Sequence, residues 1–390
     1  MPENETTRQA GGFLFYSVEF LTRVCYNLFT EVSGMEKVVV GMSGGVDSAV
    51  TAYLLKNAGY EVIGVTLRTW RSELGDEGRC CDIDDARAVA YKLGIRYVPV
   101  NCISDFQEYV VEPFKNDYLC GKTPNPCVVC NRYVKWEKLM YYAKALGADH
   151  IATGHYASVI KLENGRYTVK TAKYSQKDQT YMLYKLTQEQ LAATLMPLGG
   201  FSKAEVRRIA TDAGLPVAAK PDSQEICFVA DGGYADYIKS SAKPGLVKEG
   251  CFVDESGNVL GKHKGVIYYT VGQRKGLGIA LGHPAYVKEI RTETNEVVLS
   301  DETSLYSKEV TCGDVNFMSI PALGNGKKLI CMAKIRYQHH AQEAAVEGLD
   351  GGRVRLEFTD PVRAATPGQS AVFYDENDRV IGGGIIESAR

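Results

Sequence analysis

Long uncharged apolar stretches are missing from this 390-residue chain. A helix that crosses a bilayer needs about 20 apolar residues, so we expect no membrane span and no membrane partner. A strong charge of either sign is also missing, because 45 Lys and Arg face 47 Asp and Glu and leave a formal net charge of -2. A protein that coats nucleic acid through an overall positive charge is therefore excluded, and any RNA contact has to come from a local patch.

Internal repeats, low-complexity tracts and a regular cysteine framework are lacking as well. The chain holds 11 cysteines, an odd number spread unevenly, which does not fit the dense disulfides of a small secreted domain. We therefore expect reduced thiols and a cytoplasmic protein, in which each cysteine is available for chemistry. Hydrophobic residues at 45% and charged residues at 24% are typical of globular proteins, and the length predicts two or three domains.

The first 34 residues differ from the rest of the chain. Apolar residues recur there at steps of three and four, which is typical of an amphipathic helix: Leu14, Val18, Leu21, Cys25, Leu28 and Val32. Acidic residues interrupt the segment, so it resembles neither a signal peptide nor a mitochondrial presequence. We interpret residues 1–34 as an extension in front of a domain that begins at Met35, with a docking helix as the alternative.

From Met35 to residue 225, strand-like runs alternate with helical spacing. Residues 37–41 form a short apolar run suited to a buried parallel strand. Further strands are expected at 61–67, 97–101 and 149–153, and helices at 49–56, 82–93 and 134–146. This alternation predicts an α/β domain over residues 35–225 with a doubly wound, Rossmann-like parallel sheet. Such sheets bind their ligands beyond the carboxyl ends of the strands.

The pattern changes after residue 225. Residues 226–290 include Gly- and Tyr-rich stretches, and we expect a small central domain there. From 291 to 390, short alternating runs are separated by turn residues such as Asp350-Gly351. We therefore predict a β-barrel domain at the carboxyl terminus.

A glycine-containing turn, SGGVDS, lies directly between the first predicted strand and the first predicted helix. Glycine lets the backbone approach an anion closely, and a helix N-terminus presents unpaired N–H groups to phosphate oxygens. No Lys follows the glycines as it does in a Walker A loop, so this is a phosphate site of another kind.

The SGGVDS turn after an apolar strand resembles the PP-loop of ATP pyrophosphatases, which activate a carbonyl oxygen by adenylation and release pyrophosphate. Four further motifs follow in order: TPNPCVVCNR at 123–132, ATGHY at 152–156, KDQTY at 177–181 and DSQEICF at 222–228. The ordered set resembles the tRNA-specific 2-thiouridylases, which replace the C2 oxygen of the wobble uridine of tRNA with sulfur. The resemblance extends from Met35 to the carboxyl terminus.

This resemblance implies that the protein uses ATP with Mg²⁺. The implied ATP contacts are Gly41, Met42, Ser43, Gly44, Gly45, Val46, Asp47, Ser48, Leu67 and Gly154. Leu67 ends the second predicted strand and is expected near adenine, with an ordinary core position as the alternative. Gly154 ends a later strand that opens into the same crevice.

The resemblance also implies that Cys227 bears a persulfide and that Cys130 is the second catalytic thiol, the pair ending one turnover as a disulfide. We expect Cys130 on a proline-stiffened loop. A free thiol ionises near pH 8.5 unless a cation or a helix N-terminus assists it. For Cys130 we expect that assistance from Arg132 and from a helix that starts near Lys135.

Cys127 departs from the family pattern, because many thiouridylases have an acidic residue at this position. Its thiol permits a second hypothesis, in which Cys127, Cys130 and Cys227 bind an iron–sulfur cluster whose open iron binds sulfide. The persulfide route and the cluster route both stay open. A structural zinc site is disfavoured, because zinc needs four ligands and no second CxxC or paired His lies nearby.

The tRNA site is likewise implied by resemblance. Asn125, Pro126 and Cys127 should border the target base, which has to leave its stack to reach the crevice. The other implied tRNA contacts are His155, Lys177, Asp178, Gln179, Arg336, Tyr337 and Gln369. A cysteine desulfurase or a sulfur-relay protein is the expected sulfur donor.

Residues 261–288 offer a local basic patch, because this segment has no acidic residue. Tyr268 and Tyr269 within it are candidate stacking platforms for RNA bases. A solvated loop with incidental charge is the alternative.

Two other functions fit parts of the pattern. A PP-loop amidating enzyme would use the same adenylation, but it needs an ammonia source and leaves Cys130 and Cys227 without a role. A non-catalytic RNA-binding protein that holds an iron–sulfur cluster would not need the SGGVDS turn. We therefore favour ATP-dependent 2-thiolation of tRNA.

Overall fold

The computed structural model describes residues 36–70, 82–222, 226–229 and 233–390. These residues form a parallel α/β domain, a small four-stranded central domain and a closed β-barrel. The predicted fold class is confirmed. The predicted extension of residues 1–34 lies outside the described residues.

The elements of the α/β domain alternate along the chain, as predicted. Its described strands are β1 (Lys37–Gly41), β2 (Glu61–Arg68), β3 (Arg96–Asn101), β4 (His150–Ala152), β5 (Ala157–Lys161), β6 (Tyr167–Thr171) and β7 (Thr194–Leu195). Its described α-helices are α1 (Val46–Asn57), α2 (Ile83–Leu93), α3 (Ile103–Phe106), α4 (Glu112–Leu119), α5 (Pro126–Cys130), α6 (Trp136–Leu146), α7 (Gln188–Ala192) and α8 (Lys203–Asp212).

Five of these strands form one parallel sheet in the order β3-β2-β1-β4-β7. Val40 of β1 pairs with Gly64 on one side and with Ala152 on the other. The strand order therefore reverses at β1, and a crevice opens beyond the carboxyl ends of β1 and β4. β5 and β6 form a separate antiparallel pair.

The sequence of β1 explains its central place in the sheet. Val38, Val39 and Val40 are fully buried, as expected for a strand that is covered on both faces. Val39 belongs to one apolar cluster, whereas Val38 and Val40 belong to a second cluster on the opposite face. Successive side chains of a strand alternate between faces, so a three-valine run serves both cores.

Two helical segments, residues 103–119 and 126–146, separate β3 from β4 and include π-type turns at Gln107–Val111 and Asn131–Lys135. The expected proline-stiffened loop is helical at its centre, where α5 lies. Asn125 caps this helix and Pro126 occupies its first turn, and both residue types favour a helix start.

The central domain contains α9 (Tyr234–Ser241), β8 (Gly250–Val253), β9 (Val259–His263), β10 (Tyr286–Arg291) and β11 (Glu296–Ser300). Its sheet has the order β10-β11-β8-β9. Because β10 and β11 are an antiparallel pair within this sheet, the central domain extends to Ser300. The boundary that we expected at residue 290 therefore falls inside the sheet.

The predicted carboxyl-terminal barrel is confirmed. Its strands are β12 (Tyr306–Phe317), β13 (Lys328–Lys334), β14 (Gln342–Gly348), β15 (Val354–Arg363), β16 (Ser370–Tyr374) and β17 (Val380–Ala389), closed in the order β12-β15-β14-β13-β16-β17. The barrel has its own apolar cluster, which includes Phe358 and Phe373. No described helix of the protein combines the length and the apolar character needed to cross a bilayer.

Candidate active site

The turn after β1 is held in shape by two serines. The Ser43 N–H donates to Ser48 Oγ at 3.2 Å, and the Ser48 hydroxyl donates to Gly45 O at 3.0 Å. α1 begins at Val46, so the unpaired N–H groups of its first turn lie at the carboxyl edge of the sheet. This arrangement is suited to phosphate oxygens.

Two glycines allow backbone segments to meet at this phosphate turn. Gly44 has a φ of +77°, and a Cβ there would lie 2.5 Å from Asp82 O. A Cβ on Gly154 would lie 2.8 Å from Ser48 N. Since only glycine avoids these contacts, the end of β4 and the start of α2 pack directly on the turn.

Asp82 connects the phosphate turn to α2. Its N–H donates to Ser43 O at 3.1 Å, and its carboxylate caps α2 by accepting from the Asp85 N–H at 3.0 Å. Lys220 donates to the same carboxylate at 2.9 Å. Burial opposes ionisation, but Lys220 and the Asp85 N–H hold the pKa of Asp82 below its usual value.

Asp47, the acidic residue of the turn, has two partners from distant parts of the chain. Its two carboxylate oxygens accept from Lys203 Nζ at 2.7 and 2.8 Å. The Tyr156 hydroxyl donates to Asp47 Oδ1 at 2.8 Å. Burial and the charge of Asp47 raise the pKa of Tyr156 well above its usual value, so its hydroxyl remains a donor.

Asp222, the first residue of the DSQEICF motif, lies among three cations. Its carboxylate is 2.8 Å from Lys203, 3.0 Å from Lys177 and 2.9 Å from Arg207. Burial opposes ionisation, yet Lys203 and Lys177 hold the pKa of Asp222 below its usual value. Lys177, an implied tRNA contact, is therefore already ion-paired within the protein.

Leu67 lies at the same edge of the sheet, two residues beyond the Val65 that pairs with Gly41. Its side chain is buried in the apolar cluster that also includes Val39 and Val65. The side chain of Leu67 is therefore an ordinary core side chain, as in the alternative interpretation. Its backbone position in β2 still borders the crevice.

α5 is fixed by contacts with a single turn of the chain. Asn125 Oδ1 accepts from the Cys127 N–H at 3.1 Å, and the Asn125 amide donates to Met182 Sδ at 3.3 Å. Asn131, one residue past α5, donates from Nδ2 to Met182 O at 3.0 Å. Both ends of α5, with the buried Pro126 between them, are therefore attached to the turn at Met182.

This turn is connected to the phosphate turn through Gln179 and Tyr156. Gln179 Oε1 accepts from the Tyr156 N–H at 2.9 Å, and the Gln179 N–H donates to Tyr156 O at 3.0 Å. The Tyr156 hydroxyl binds Asp47. Gln179, an implied tRNA contact, therefore holds Tyr156 in place. Tyr156 in turn joins Asp47 to the turn at Met182 that contacts α5.

The three candidate thiols differ in exposure. Cys130 is buried, Cys127 is exposed and Cys227 is partly buried. Cys130 belongs to the main apolar cluster of the α/β domain, and Cys227 packs against that same cluster. The two candidate catalytic thiols therefore share one apolar cluster although 97 residues separate them in the sequence.

Phe228 explains how the neighbouring Cys227 is placed. Its ring is 2% exposed and packs edge-on against Phe106 and Phe114, with centroids 5.5 and 5.2 Å apart. α5 packs against the π turn at Gln107–Val111, which lies between those two rings in the sequence. The segments that bear the two thiols thus rest on the same helical region.

A three-thiol arrangement is not assembled. Within the described parts of the chain, no group of three Cys, His, Asp or Glu side chains is placed to hold a metal ion. Cys127, Cys130 and Cys227 therefore do not form the ligand set that the iron–sulfur hypothesis requires.

The surroundings of Cys130 also differ from our expectation. Arg132 pairs with Glu137 at 2.5 Å and lies 5.1 Å from the ring centroid of Tyr133. Cys130 ends α5, and the chain continues as a π turn instead of starting a new helix. Arg132 is thus ion-paired with Glu137. The chain after Cys130 continues an existing helix, so no new helix N-terminus lies beside this thiol.

Tyr337 and Asp178 lie beside α5. The Tyr337 hydroxyl donates to Asp178 O at 3.0 Å, and burial, Asp178 and Cys127 raise the pKa of Tyr337. The Asp178 carboxylate is buried and accepts from the Thr180 hydroxyl at 2.7 Å and the Ala172 N–H at 3.1 Å. The hydroxyl of Tyr337 is held by Asp178 O while part of its ring is exposed, whereas the buried side chain of Asp178 stabilises the turn from inside.

Arg336 and Gln369 hold the three domains together. The Arg336 guanidinium donates to Val271 O and to Ala364 O, each at 2.9 Å. Gln369 Nε2 donates to Thr123 O at 2.7 Å. These two implied tRNA contacts therefore lie where the central domain and the barrel meet the segment before α5.

His155 is less suited to a charged contact than its residue type suggests. Its ring centroid lies 5.3 Å from that of Trp136, and Nδ1 is 2.9 Å from Thr153 Oγ1. Burial and the nearby Lys135 lower the pKa of His155 to about 3. At neutral pH the imidazole is uncharged, so it can contact RNA by hydrogen bonding or stacking but not through a positive charge.

The basic patch of residues 261–288 is smaller than its sequence suggests. Tyr269 is 2% exposed and belongs to the central core, so it cannot stack on RNA. Lys288 pairs with Glu255 at 2.5 Å. Lys264 lies 4.0 Å from the ring centroid of Tyr268, and these two residues retain the expected combination of charge and aromatic surface.

The sequence did not indicate the pairing of Lys203 with Asp47 and Asp222. The motifs include Tyr156 and Asp222, but Lys203 lies 156 residues from Asp47 and outside every motif. The capping pattern of Ser202 and Glu205 indicates that a helix starts at Lys203, but it does not indicate which residues Lys203 contacts.

Three family models match successive parts of the chain. They are a tRNA methyl transferase HUP domain over residues 36–231, a tRNA methyl transferase PRC-barrel domain over 237–301 and an aminomethyltransferase beta-barrel domain over 307–386. These ranges follow the three domains of the structure.

Curated relatives match almost from end to end. The tRNA-specific 2-thiouridylase MnmA of Lachnoclostridium phytofermentans is 51% identical over 359 residues, which are 90% of this chain and 99% of the relative. The protein of the same name from Acetivibrio thermocellus is 52% identical over 360 residues, with the same coverage. A solved structure, the U34-tRNA thiolase NcsA from Methanococcus maripaludis, is 20% identical with a TM-score of 0.37, and the match covers 54% of this chain and 67% of that chain. With its motifs, its domain order and these near-full-length relatives, the chain belongs to the tRNA-specific 2-thiouridylase family.

Proposed function

We propose that this protein uses ATP to replace the C2 oxygen of the wobble uridine (U34) of tRNA with sulfur. Relatives named for tRNA 2-thiouridylation match 90% of the chain. One observation carries the proposal: Asp47 of the phosphate turn is linked through Tyr156 toward α5 and through Lys203 to Asp222. The phosphate turn is therefore connected to the support of α5, and Cys130 at the end of α5 shares one apolar cluster with Cys227.

The first step activates the uracil. Its C2 oxygen attacks the α-phosphorus of MgATP and pyrophosphate leaves, so a poor leaving group becomes AMP. The N–H groups at the start of α1, together with Ser43 and Ser48, hold the phosphates. Asn125, Pro126 and the exposed Cys127 border the uracil, which enters the crevice unstacked.

The second step transfers sulfur. The terminal sulfur of a persulfide on Cys227 attacks C2, and AMP leaves with the former C2 oxygen. The Cys130 thiolate then attacks the Cys227 sulfur, which releases 2-thiouridine and leaves a Cys130–Cys227 disulfide. An external thiol reductant supplies two electrons to restore both thiols, and a cysteine desulfurase or sulfur-relay protein reloads Cys227.

The other implied contacts serve tRNA binding around this entrance. The ring of Tyr337 is partly exposed, and His155 and Lys177 lie on the segments that position Tyr156 and Asp222. The reaction takes place in the cytoplasm, where ATP, tRNA and thiol reductants are available.

The test is nucleoside mass spectrometry of unmodified tRNA after incubation with the full chain, MgATP and a cysteine desulfurase with cysteine. We expect 2-thiouridine at the wobble position and one AMP for each sulfur transferred. Omission of ATP should abolish the product. Absence of 2-thiouridine in the complete reaction, with the desulfurase shown to be active, would refute the proposed function.

A further inference from the structure

Two arginines from different domains lie against one tyrosine ring, where the central domain meets the barrel. Tyr286 begins β10 of the central domain, and its ring is buried. The guanidinium carbon of Arg363, the last residue of β15, lies 5.3 Å from the centroid of this ring. The guanidinium carbon of Arg274, an exposed residue of the central domain, lies 6.0 Å from the same centroid. One aromatic ring therefore brings a cation of the central domain and a cation of the barrel together.

A third arginine lies at the same contact between the domains. A Cβ on Gly272 would lie 2.7 Å from Ala364 Cβ, so the central domain and the barrel touch directly at this glycine. The same position is 3.7 Å from Arg336 Nη2 and 3.9 Å from Arg363 Nη1. Arg336 donates there to two neutral backbone oxygens, Val271 O and Ala364 O. Arg336 and Arg363 are therefore near neighbours, and these hydrogen bonds leave the charge of Arg336 uncompensated.

This contact has more positive than negative charge. Among the described residues, the ion pairs give the three arginines a single carboxylate, because Glu302 accepts from Arg363 at 3.1 Å. The Glu302 side chain is 53% exposed, and exposed ion pairs of this kind contribute little to stability, so another anion can take its place. Burial and the nearby charges of Arg336 and Arg363 also lower the pKa of His339. The contact between the two domains is therefore suited to an anionic ligand.

The arginines lie close to the entrance for the target base. The barrel chain that follows Arg363 reaches the segment before α5, where the Thr123 N–H donates to Pro367 O at 2.9 Å and Gln369 Nε2 donates to Thr123 O at 2.7 Å. Thr123 lies two residues before Asn125, which borders the uracil in the proposed function. Four residues of chain keep Arg363 within about 14 Å of Pro367. This distance is the length of about four stacked nucleotides.

We propose that Arg363 and Arg274, supported by Arg336, bind the phosphate backbone of the tRNA anticodon arm beside the wobble uridine. RNA phosphates supply the negative charge that this contact lacks, and a guanidinium matches their oxygens in geometry as well as in charge. Phosphate contacts carry no sequence information, so this site fixes the position of the arm and adds affinity without reading a base. The inference rests on the proposed function, because it takes tRNA as the ligand and Asn125 as the border of the base entrance.

The salt dependence of tRNA binding tests the contact. Fluorescence anisotropy of labelled, unmodified tRNA with the full chain gives the slope of log affinity against log salt, to which each phosphate contact contributes about 0.7–0.9. Arg363→Gln and Arg274→Gln should each lower the slope by that amount and weaken binding about fivefold at about 0.1 M salt. Arg363→Lys keeps the charge and should keep the slope. Arg353→Gln is the matched control, because it removes an exposed arginine directly before the opposite end of β15, and it should change neither quantity.

The place of the contact on the RNA is tested by phosphate ethylation, which removes the charge of single phosphates. With the wild type, ethylation of anticodon-arm phosphates within about four nucleotides of the wobble uridine should interfere with binding. With the Arg274→Gln, Arg363→Gln double variant, the same phosphates should interfere no longer. Interference at these phosphates that persists in the double variant would assign them to other residues and overturn the proposal.

An unchanged slope and affinity in the double variant, or an equal effect of Arg353→Gln, would also overturn the phosphate site and favour an acidic protein as the ligand. If Arg363→Gln does not fold, as judged by circular dichroism, Arg274→Gln decides, because the Arg274 side chain is exposed. A wild type that shows the expected binding but forms no 2-thiouridine would remove the proposed function and keep this site. A double variant that forms 2-thiouridine with an unchanged KM for tRNA would remove the site and keep the function.

Discussion

The Tyr156 hydroxyl lies 2.8 Å from Asp47 Oδ1 and ties the chain that follows β4 to the first turn of α1. The same tyrosine is bound through its backbone to Gln179, which leads into the turn that holds α5. Its ring also lies 6.0 Å from the Lys203 ammonium. Tyr156 therefore connects the phosphate turn, through Asp47, to the turn that contacts α5, through Gln179.

Removing the Tyr156 hydroxyl should weaken ATP binding. Tyr156→Phe keeps the buried ring but leaves Asp47 without one donor, and a lost hydrogen bond to a charged group is worth about 1.5–3 kcal/mol. We expect the KM for ATP to rise about tenfold, measured from AMP formation at saturating tRNA. Tyr141→Phe, on an exposed ring, is the control and should leave the KM unchanged. An unchanged KM in Tyr156→Phe would show that Asp47 is fixed without it.

Gly154 should tolerate no side chain. In Gly154→Ala the new Cβ would lie 2.8 Å from the backbone of Asp47 and Ser48, so the start of α1 has to shift. Overpacking of this kind costs about 1–3 kcal/mol, and here the shift moves the phosphate site itself. We expect loss of ATP binding by calorimetry, together with a fall of a few degrees in unfolding temperature. Gly200→Ala, which meets nothing within 4 Å, should bind ATP normally.

Cys227 should be required for sulfur transfer but not for activation. Cys227→Ser removes the persulfide carrier while leaving the phosphate turn intact, so AMP formation with tRNA should continue and 2-thiouridine should be absent. An amidating enzyme would tolerate this change. Cys120→Ser, at an exposed thiol, serves as the control and should retain full thiolation. Thiolation by Cys227→Ser would contradict the persulfide route.

Cys127 distinguishes the persulfide route from an iron–sulfur cluster. Because its thiol is exposed and no metal-binding group of three side chains is assembled in the described residues, we expect Cys127→Ser to retain thiolation. Protein purified without oxygen should contain no stoichiometric iron or acid-labile sulfide. Iron at cluster stoichiometry that is lost in Cys127→Ser together with activity would favour the cluster hypothesis.

His155 should make the protein less stable as the pH falls. Its pKa is about 3 in the folded protein and 6.5 in an unfolded chain, so the unfolded state binds the extra proton between these values. The contribution of a neutral His155 is fully present above pH 6.5 and decreases below it by at most about 1.4 kcal/mol per pH unit. Urea unfolding at pH 7 and pH 5 should show a smaller loss in His155→Asn than in the wild type. Equal losses would mean that His155 is protonated normally when folded.

Much of the fold could be predicted because the relevant patterns are local. The three valines of β1 mark a strand buried on both faces, and the strand expected at 61–67 lies within the observed β2. The expected boundary at residue 290 falls inside the central sheet because β11 pairs with β10 and β8 and not with a barrel strand. Which sheet a strand joins depends on its partner, and strand alternation alone does not specify the partner.

The candidate site was predicted as a set of motifs and not as a set of contacts. Several implied tRNA contacts, including Asp178, Arg336 and Gln369, use their side chains within the protein. Arg132, expected to assist Cys130, pairs with Glu137. A charged residue in a motif pairs with whichever opposite charge the packed structure brings near, so its role cannot be assigned from the motif alone.

The sequence by itself determined the phosphate turn, the order of the domains and the cysteines available for sulfur chemistry, because strand runs, glycine turns and motif spacing act over short stretches of chain. Tertiary structure decided that Lys203 joins Asp47 to Asp222 and that Tyr156 joins Asp47 to the support of α5. Those pairs span long sequence separations, and a carboxylate and an ammonium stabilise each other only when packing holds them a few ångströms apart.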